Sequence, residues 1–247
     1  MRAPSTTYFA RRCRVSRSSF DHDYFVRRAR TDNKIDELWD LMAENGFLGV
    51  HLSMQYGGGG AGISELAVVC EEMAAQGCPL LLILVSAAIC AELIARFGTL
   101  EQKDRWLPGL VAGQKMAFAI TEPDAGSNSH HISTTARRDG DLYRLNGTKT
   151  FISGVDESDH LLVVSRTSLD ESTGRARLSL FVVDSDSPGL TRQQISVEMT
   201  IPEKQFILYF DNVEVPADRI LGNENEGSAQ LLVDSAGLGS HAAVATL

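Results

Sequence analysis

The sequence holds few of the residues that brace small secreted folds. Four cysteines stand among 247 residues, at positions 13, 70, 78 and 90, with no C-x-x-C pair and no ligand-like grouping. That spacing excludes a disulfide framework or zinc ribbon and reads as reduced, intracellular thiols. Tryptophan occurs twice and proline seven times, so collagen-like and proline-rich linker compositions are excluded. No long hydrophobic run is present. The longest, from Leu80 to Ala91, is interrupted by Ser86 and falls short of the ~18–20 residues that span a bilayer, so it reads as a buried helix. No secretory apolar segment opens the chain. Its first twenty residues are rich in Arg and Ser and free of acid, a pattern shared by transit peptides, basic disordered tails and sequence preceding a true start.

What remains is ordinary globular material, 43% hydrophobic and 22% charged. The length allows one or two domains at about 150 residues each. Net charge is −9, while the first thirty residues carry eight Arg against two Asp, so the body is more acidic than the total suggests. An acidic body disfavours nucleic acid as a partner.

Residues 1–32 read as a basic tail and 33–113 as an all-helical domain. Asn33 is placed to cap a helix with Ile35, Leu38, Trp39 and Met42 at 3,4 spacing, ended by Gly46. The four glycines 57–60 mark a loop. Helices are expected from Ser64 to Gly77, from Pro79 to Phe97, and after a Thr99/Gln102 capping box, with Pro108 breaking or kinking the last. From 114 to 222 the texture changes to short strands at Met116–Thr121, Leu142–Leu145, Thr148–Ile152, Leu161–Arg166, Leu178–Val183 and Phe206–Phe210. Asn146-Gly147 between two of them predicts a hairpin turn. Residues 223–247 begin another helix at Leu231 and Leu232. The fold class is α+β: a helical N-terminal domain, a β-barrel or sandwich middle domain, and the start of a further helical domain.

Several chemistries are not supported. No G-x-G-x-x-G follows a strand, Gly147-Thr-Lys-Thr lacks P-loop spacing, and no G-x-S-x-G is present. His130-His131 has no partner at ligand spacing, so no metal is expected. Two segments stand out. Phe118-Ala-Ile-Thr-Glu-Pro-Asp-Ala-Gly-Ser127 is a strand opening into a turn. It is either a plain turn or a cradle in which the N–H groups of Ala125, Gly126 and Ser127 converge on an anion. Thr150-Phe-Ile-Ser-Gly154 is either an ordinary strand end or an aromatic and hydroxyl surface suited to a flat heteroaromatic.

In their order, "ENGFLGVHLSMQYGGGGAG", "RFGTLEQKDRWLPGLVAGQKMAFAITEPDAGSNS", "LNGTKTFISG", "LFVVDSDSPGL" and "FDNVEVPADRILGNENEG" resemble the acyl-CoA dehydrogenase family over roughly residues 33–230. The resemblance implies an FAD enzyme that converts an acyl-CoA thioester to the trans-2-enoyl-CoA. It implies electron-transfer flavoprotein or a similar acceptor as partner and a homo-oligomer with no membrane span. The expected compartment is bacterial cytoplasm or, second, the mitochondrial matrix. By position, Phe118, Ala119, Ile120 and Thr121 would line the flavin. Ser127 would touch its diphosphate and the acyl-CoA, and Phe151, Ile152 and Ser153 would pack on the ring and bond near N5. Asn128 stands where the family commonly has Asp. The resemblance also implies a C-terminal bundle holding the catalytic Glu. In the branch that places this base in the bundle's first helix, its position aligns with Gly239-Ser240 here. Glu224 and Glu226 lie in the preceding loop, and His241 is an imperfect substitute, so no catalytic residue is assigned. This reads as a truncated form, with a non-catalytic remnant or partner subunit and an acyl-CoA oxidase-like flavoprotein as alternatives. An uncovered apolar helix face predicts association or poor solubility.

Overall fold

Sequence periodicity and turn residues set most of the elements in the computed structural model, which describes residues 20–31, 33–128 and 131–232. Helix α1 (His22–Arg30) begins at Asp21, whose carboxylate accepts from the Tyr24 N–H at 2.8 Å. It buries Tyr24 and Phe25 in the helical core, so part of the expected basic tail is a packed element. Helix α2 (Asp36–Glu44) buries Leu38, Trp39 and Met42. Its cap position is Ile35, without a side-chain cap; Asn33 bonds to Thr31 Oγ1 instead, which corrects the expected Asn33 cap. The glycine loop follows. At Gly58 a Cβ would stand 2.3 Å from the Leu52 carbonyl oxygen, so only glycine fits.

Helix α3 (Ile63–Ala75) leads to α4, one helix through residues 81–97 whose Ile83–Ala91 stretch is wound as π-helix before Glu92–Phe97 returns to α. Helix α5 (Leu100–Val111) starts at the expected Thr99/Gln102 capping box. Pro108 lies inside it and does not end it; the helix continues to Val111, and the Pro108 and Gly109 carbonyls accept from the Ala112 and Gln114 N–H groups.

The eight strands are β1 (Met116–Ala119), β2 (Thr135–Asp139), β3 (Leu142–Ser153), β4 (His160–Leu169), β5 (Ala176–Asp184), β6 (Leu190–Ile195), β7 (Gln205–Pro216) and β8 (Ile220–Leu221). They form one sheet in the order β6-β7-β3-β2-β4-β5-β8, with β1 parallel to β4. The sheet curls around its own core of Ala119, Tyr143, Leu145, Phe181 and Val213. Its other face, through Leu162, Val164, Leu180 and Val182, shares a second core with Leu93, Ile94, Trp106 and Leu107 of α4 and α5. Trp39 Nε1 donates to Gly113 O at 2.7 Å and Lys115 pairs with Asp36 and Glu157, fastening α2 to the start of β1.

Asn146-Gly147 is not a hairpin turn. β3 runs straight through it, and the β2–β3 turn is Gly140-Asp141. Asn146 instead faces a bulge on β7, where Asn212 (φ +50°) donates its N–H to Asn146 Oδ1 at 2.9 Å. Gly147 (φ +150°) lets Thr134 approach: a Cβ there would lie 2.6 Å from Thr134 Cα. The turn signal was real in composition, but it marks a bulge and a close backbone approach. After β8 the chain is helical again at 227–232. Positions 239–241 and His130 lie outside the described residues. Among the described residues no helix is long and apolar enough to cross a membrane, and no cluster of three potential metal ligands occurs.

Candidate functional site

The two segments singled out from sequence meet. The Thr150 N–H donates to Thr121 O at 2.9 Å, so the end of β3 lies against the residue that follows β1 and Ile120. β1 is held from both sides. It pairs with β4 from Met116↔His160 to Ala119↔Val163, and the Met116 N–H donates to Ser86 Oγ of the π-wound stretch at 3.0 Å.

Alternation along β1 sorts its side chains. Ala117 and Ala119 point into the sheet's own core, while Met116 and Phe118 face the helices. Ala119 therefore reaches the site only through its backbone. Phe118, Ile120 and Thr121 are half-buried.

The end of β3 is shaped by a bulge. Register with β7 shifts between Lys149↔Leu208 and Ile152↔Phe206, so Thr150 and Phe151 together oppose one residue. Phe151 takes φ +56°, an outlier conformation for a bulky side chain, and the residue is 60% exposed. Ile152 returns to the core. Ser153 is half-buried and its Oγ accepts from Gln205 Nε2 at 2.8 Å. The bulge thus throws an aromatic ring outward beside a held hydroxyl, a device common beside functional sites.

The turn is organised by Glu122, which sequence reasoning passed over. Its carboxylate accepts from Ser133 N and Oγ, each at 2.7 Å, from Thr134 N at 3.0 Å and from Lys149 Nζ at 2.8 Å. Lys149, fully buried, also donates to Ile120 O at 3.0 Å. Burial works to raise the Glu122 pKa, but the Lys149 charge and the converging donors outweigh it and hold it at about 2. Burial holds Lys149 down at about 8 despite Glu122, so both remain charged at neutral pH. A lysine inside an apolar strand and a glutamate ahead of Pro123 were the available signals. Their pairing was not readable, because the partners sit 27 positions apart.

The expected anion cradle is smaller than its sequence suggested. The Ala125 N–H is spent on Glu122 O at 3.2 Å, leaving Gly126 and Ser127, both exposed, to present amides. Beyond Asn128 lies a cavity of about 470 Å³ lined by His131, Arg166, Thr173 and Arg175. No carboxylate lines it, and among the described residues neither arginine makes an ion pair. Glu224 and Glu226 are engaged elsewhere, accepting from Tyr143 OH at 2.8 Å and Asn223 Nδ2 at 2.9 Å.

The chemistry of this donor set is compatible with a flavin. An ejected aromatic ring, a hydroxyl with a fixed partner and two exposed turn amides lie along linked segments. Family models for the acyl-CoA dehydrogenase N-terminal and middle domains match residues 21–114 and 117–213. The chain is 51% identical over 215 residues to acyl-CoA dehydrogenase fadE12 of Mycobacterium tuberculosis (strain CDC 1551 / Oshkosh), covering 87% of this chain and 55% of that protein. It resembles the crystal structure of acyl-CoA dehydrogenase from Geobacillus kaustophilus with TM-score 0.85 and 33% identity, covering 93% of this chain and 61% of that one. Butyryl-CoA dehydrogenase from Megasphaera elsdenii gives TM-score 0.85 at 27% identity, over 94% and 62% of the respective chains. The chain thus spans about half the length of the curated relative and under two thirds of the solved ones.

Proposed function

This chain belongs to the acyl-CoA dehydrogenase family, and on that premise we propose that it supplies much of the FAD and acyl-CoA site of an α,β-dehydrogenase. The observation that carries the reading is the β3 bulge, which exposes the Phe151 ring beside Ser153 at the end of the Thr121–Thr150 contact. FAD, when bound, supplies the hydride-accepting chemistry that no side chain offers. Phe151 offers a face to the ring system, and Ser153 a hydroxyl to its edge. Phe118, Ile120 and Thr121 close the opposite wall, with Ala119 and Ile152 fixing the two strands from behind. Gly126 and Ser127 meet phosphate with backbone amides and the Ser127 hydroxyl, and Ser127 also reaches the acyl-CoA.

The basic cavity beyond Asn128 fits the phosphorylated nucleotide end of CoA. Arg166 and Arg175, which make no ion pair among the described residues, bring positive charge to a chain of net negative charge, and such guanidiniums suit phosphate oxygens. The same reading takes electron-transfer flavoprotein or a similar acceptor as the oxidant, a homo-oligomer as the assembly and the bacterial cytoplasm as the compartment. It assigns no catalytic base among the described residues.

The test is flavin content. The purified protein is denatured and released FAD is counted per chain. Near-stoichiometric FAD, held less tightly by Phe151→Ala, is the expected result. Folded protein that neither carries nor takes up FAD overturns the proposal and favours a non-catalytic partner.

A further inference from the structure

Ser153 stands out because its hydrogen bonding is one-sided. Its Oγ accepts from Gln205 Nε2 at 2.8 Å, across a pair of residues that face each other directly in the β3–β7 ladder. An N–H donor consumes a lone pair on the serine oxygen and turns the hydroxyl hydrogen away from itself. Among the described residues no acceptor takes that hydrogen, although Ser153 is half-buried. The serine is therefore an uncommitted donor next to the ejected ring of Phe151.

Gln205 has little freedom to do otherwise. It is 4% exposed, pairs with Ser153 on one side and Ile195 on the other, and sits next to Lys204, whose carbonyl accepts the Gly154 N–H at 2.8 Å. Both backbones around the contact are thus clamped. The amide is delivered by a strand far from Ser153 in sequence, 52 positions on.

We propose that Gln205 is a positioning residue: by donating to Ser153 Oγ it fixes that hydroxyl as an outward hydrogen-bond donor to an acceptor atom on the edge of bound flavin. This rests on the flavin reading above. A lone serine rotor divides its time among staggered positions and can present either a lone pair or its hydrogen. A serine held by an amide has the inward position closed to its hydrogen, which is left only the two outward ones when the ring binds.

The test compares FAD affinity and the visible absorption of bound flavin in four proteins: wild type, Gln205→Met, Ser153→Ala and the double variant. Gln205→Met keeps length and removes the donor. It is expected to weaken FAD about three- to tenfold, the loss typical of a single hydrogen bond, and to shift the flavin band in the same direction as Ser153→Ala. The double variant is expected to be no worse than Ser153→Ala, since Gln205 acts only through the serine. Gln205→Glu keeps the shape and reverses the polarity. Its carboxylate draws the serine hydrogen inward, so it is expected to bind FAD less well than the Met variant. Additive losses in the double variant, or a Glu variant with the wild-type spectrum, overturn the proposal while leaving the flavin site standing. A wild-type chain that binds no FAD overturns both.

Discussion

Phe151 occupies a conformation that an aromatic residue adopts at a cost of order 1–3 kcal/mol. That cost yields nothing to the fold, since the ring is largely exposed. Phe151→Gly is therefore expected to raise the melting temperature of the flavin-free chain by about 2–4 °C, the shift that ~1 kcal/mol gives at this size. The same change should lower FAD affinity about tenfold. A calorimetric scan of the apo-protein and an FAD titration check the two halves, and a destabilised apo-variant would show that the ring packs after all. At this scale the sequence was partly legible. An aromatic and a hydroxyl two positions apart could be read directly at 151 and 153. Lys149, Glu122 and Gln205 could not, because what makes them matter is a partner brought close by sheet pairing, and no local pattern encodes that distance.

At the scale of elements, α4 is held at its amino end by a residue of the segment that leads from β6 to β7. Glu203 is buried, and one oxygen accepts from the Leu82 N–H at 3.4 Å while the other has no hydrogen-bond partner among the described residues. Burial pushes its pKa up to about 7 against the helix amides, with Glu157 adding to the rise. In the unfolded chain the same group titrates near 4.5. Between those values the folded state keeps a proton that the unfolded state has released, so stability falls as pH rises from about 4.5 to 7 and then levels. The loss is about 3 kcal/mol across that window. Glu203→Gln should remove this decline, so denaturant unfolding at pH 5 and pH 8 should show the variant gaining on wild type at the higher pH. Equal differences at both values would show that Glu203 does not hold its proton. The helices were legible through 3,4 periodicity and the Thr99/Gln102 box. The π winding of Ile83–Ala91 was not, because a segment apolar on every side carries no phase from which to count residues per turn. Asn146-Gly147 misled for a related reason: a positive-φ requirement looks the same in a turn and in a bulge.

For the molecule as a whole, the helices and the sheet do not own separate interiors. Leu93, Ile94, Trp106 and Leu107 pack in the same cluster as Leu162, Val164, Leu180 and Val182, and Lys115 and Trp39 fasten the junction from the side. Thermal unfolding followed by helical circular dichroism and by near-ultraviolet signals of the sheet tyrosines is expected to give coincident midpoints. Two separated transitions would mean that the shared core is too weak to couple the halves. Hydrophobic patterning announced an α+β chain, with the switch of texture visible near Lys115. The shared core was not, since it depends on which face of each strand meets a helix. The strand order sets a timetable as well as an architecture. β3 finds β2 at once through a short turn, but its other edge waits for β7, and Ser153 waits for Gln205, 52 residues later. At ribosomal speeds of ~5–20 residues per second, that edge stands open for roughly 3–10 s in every newly made chain. In that interval the strand carrying Phe151 is a free template for any other strand. A cell making this protein quickly will meet its aggregation risk there, before a ligand has anything to bind.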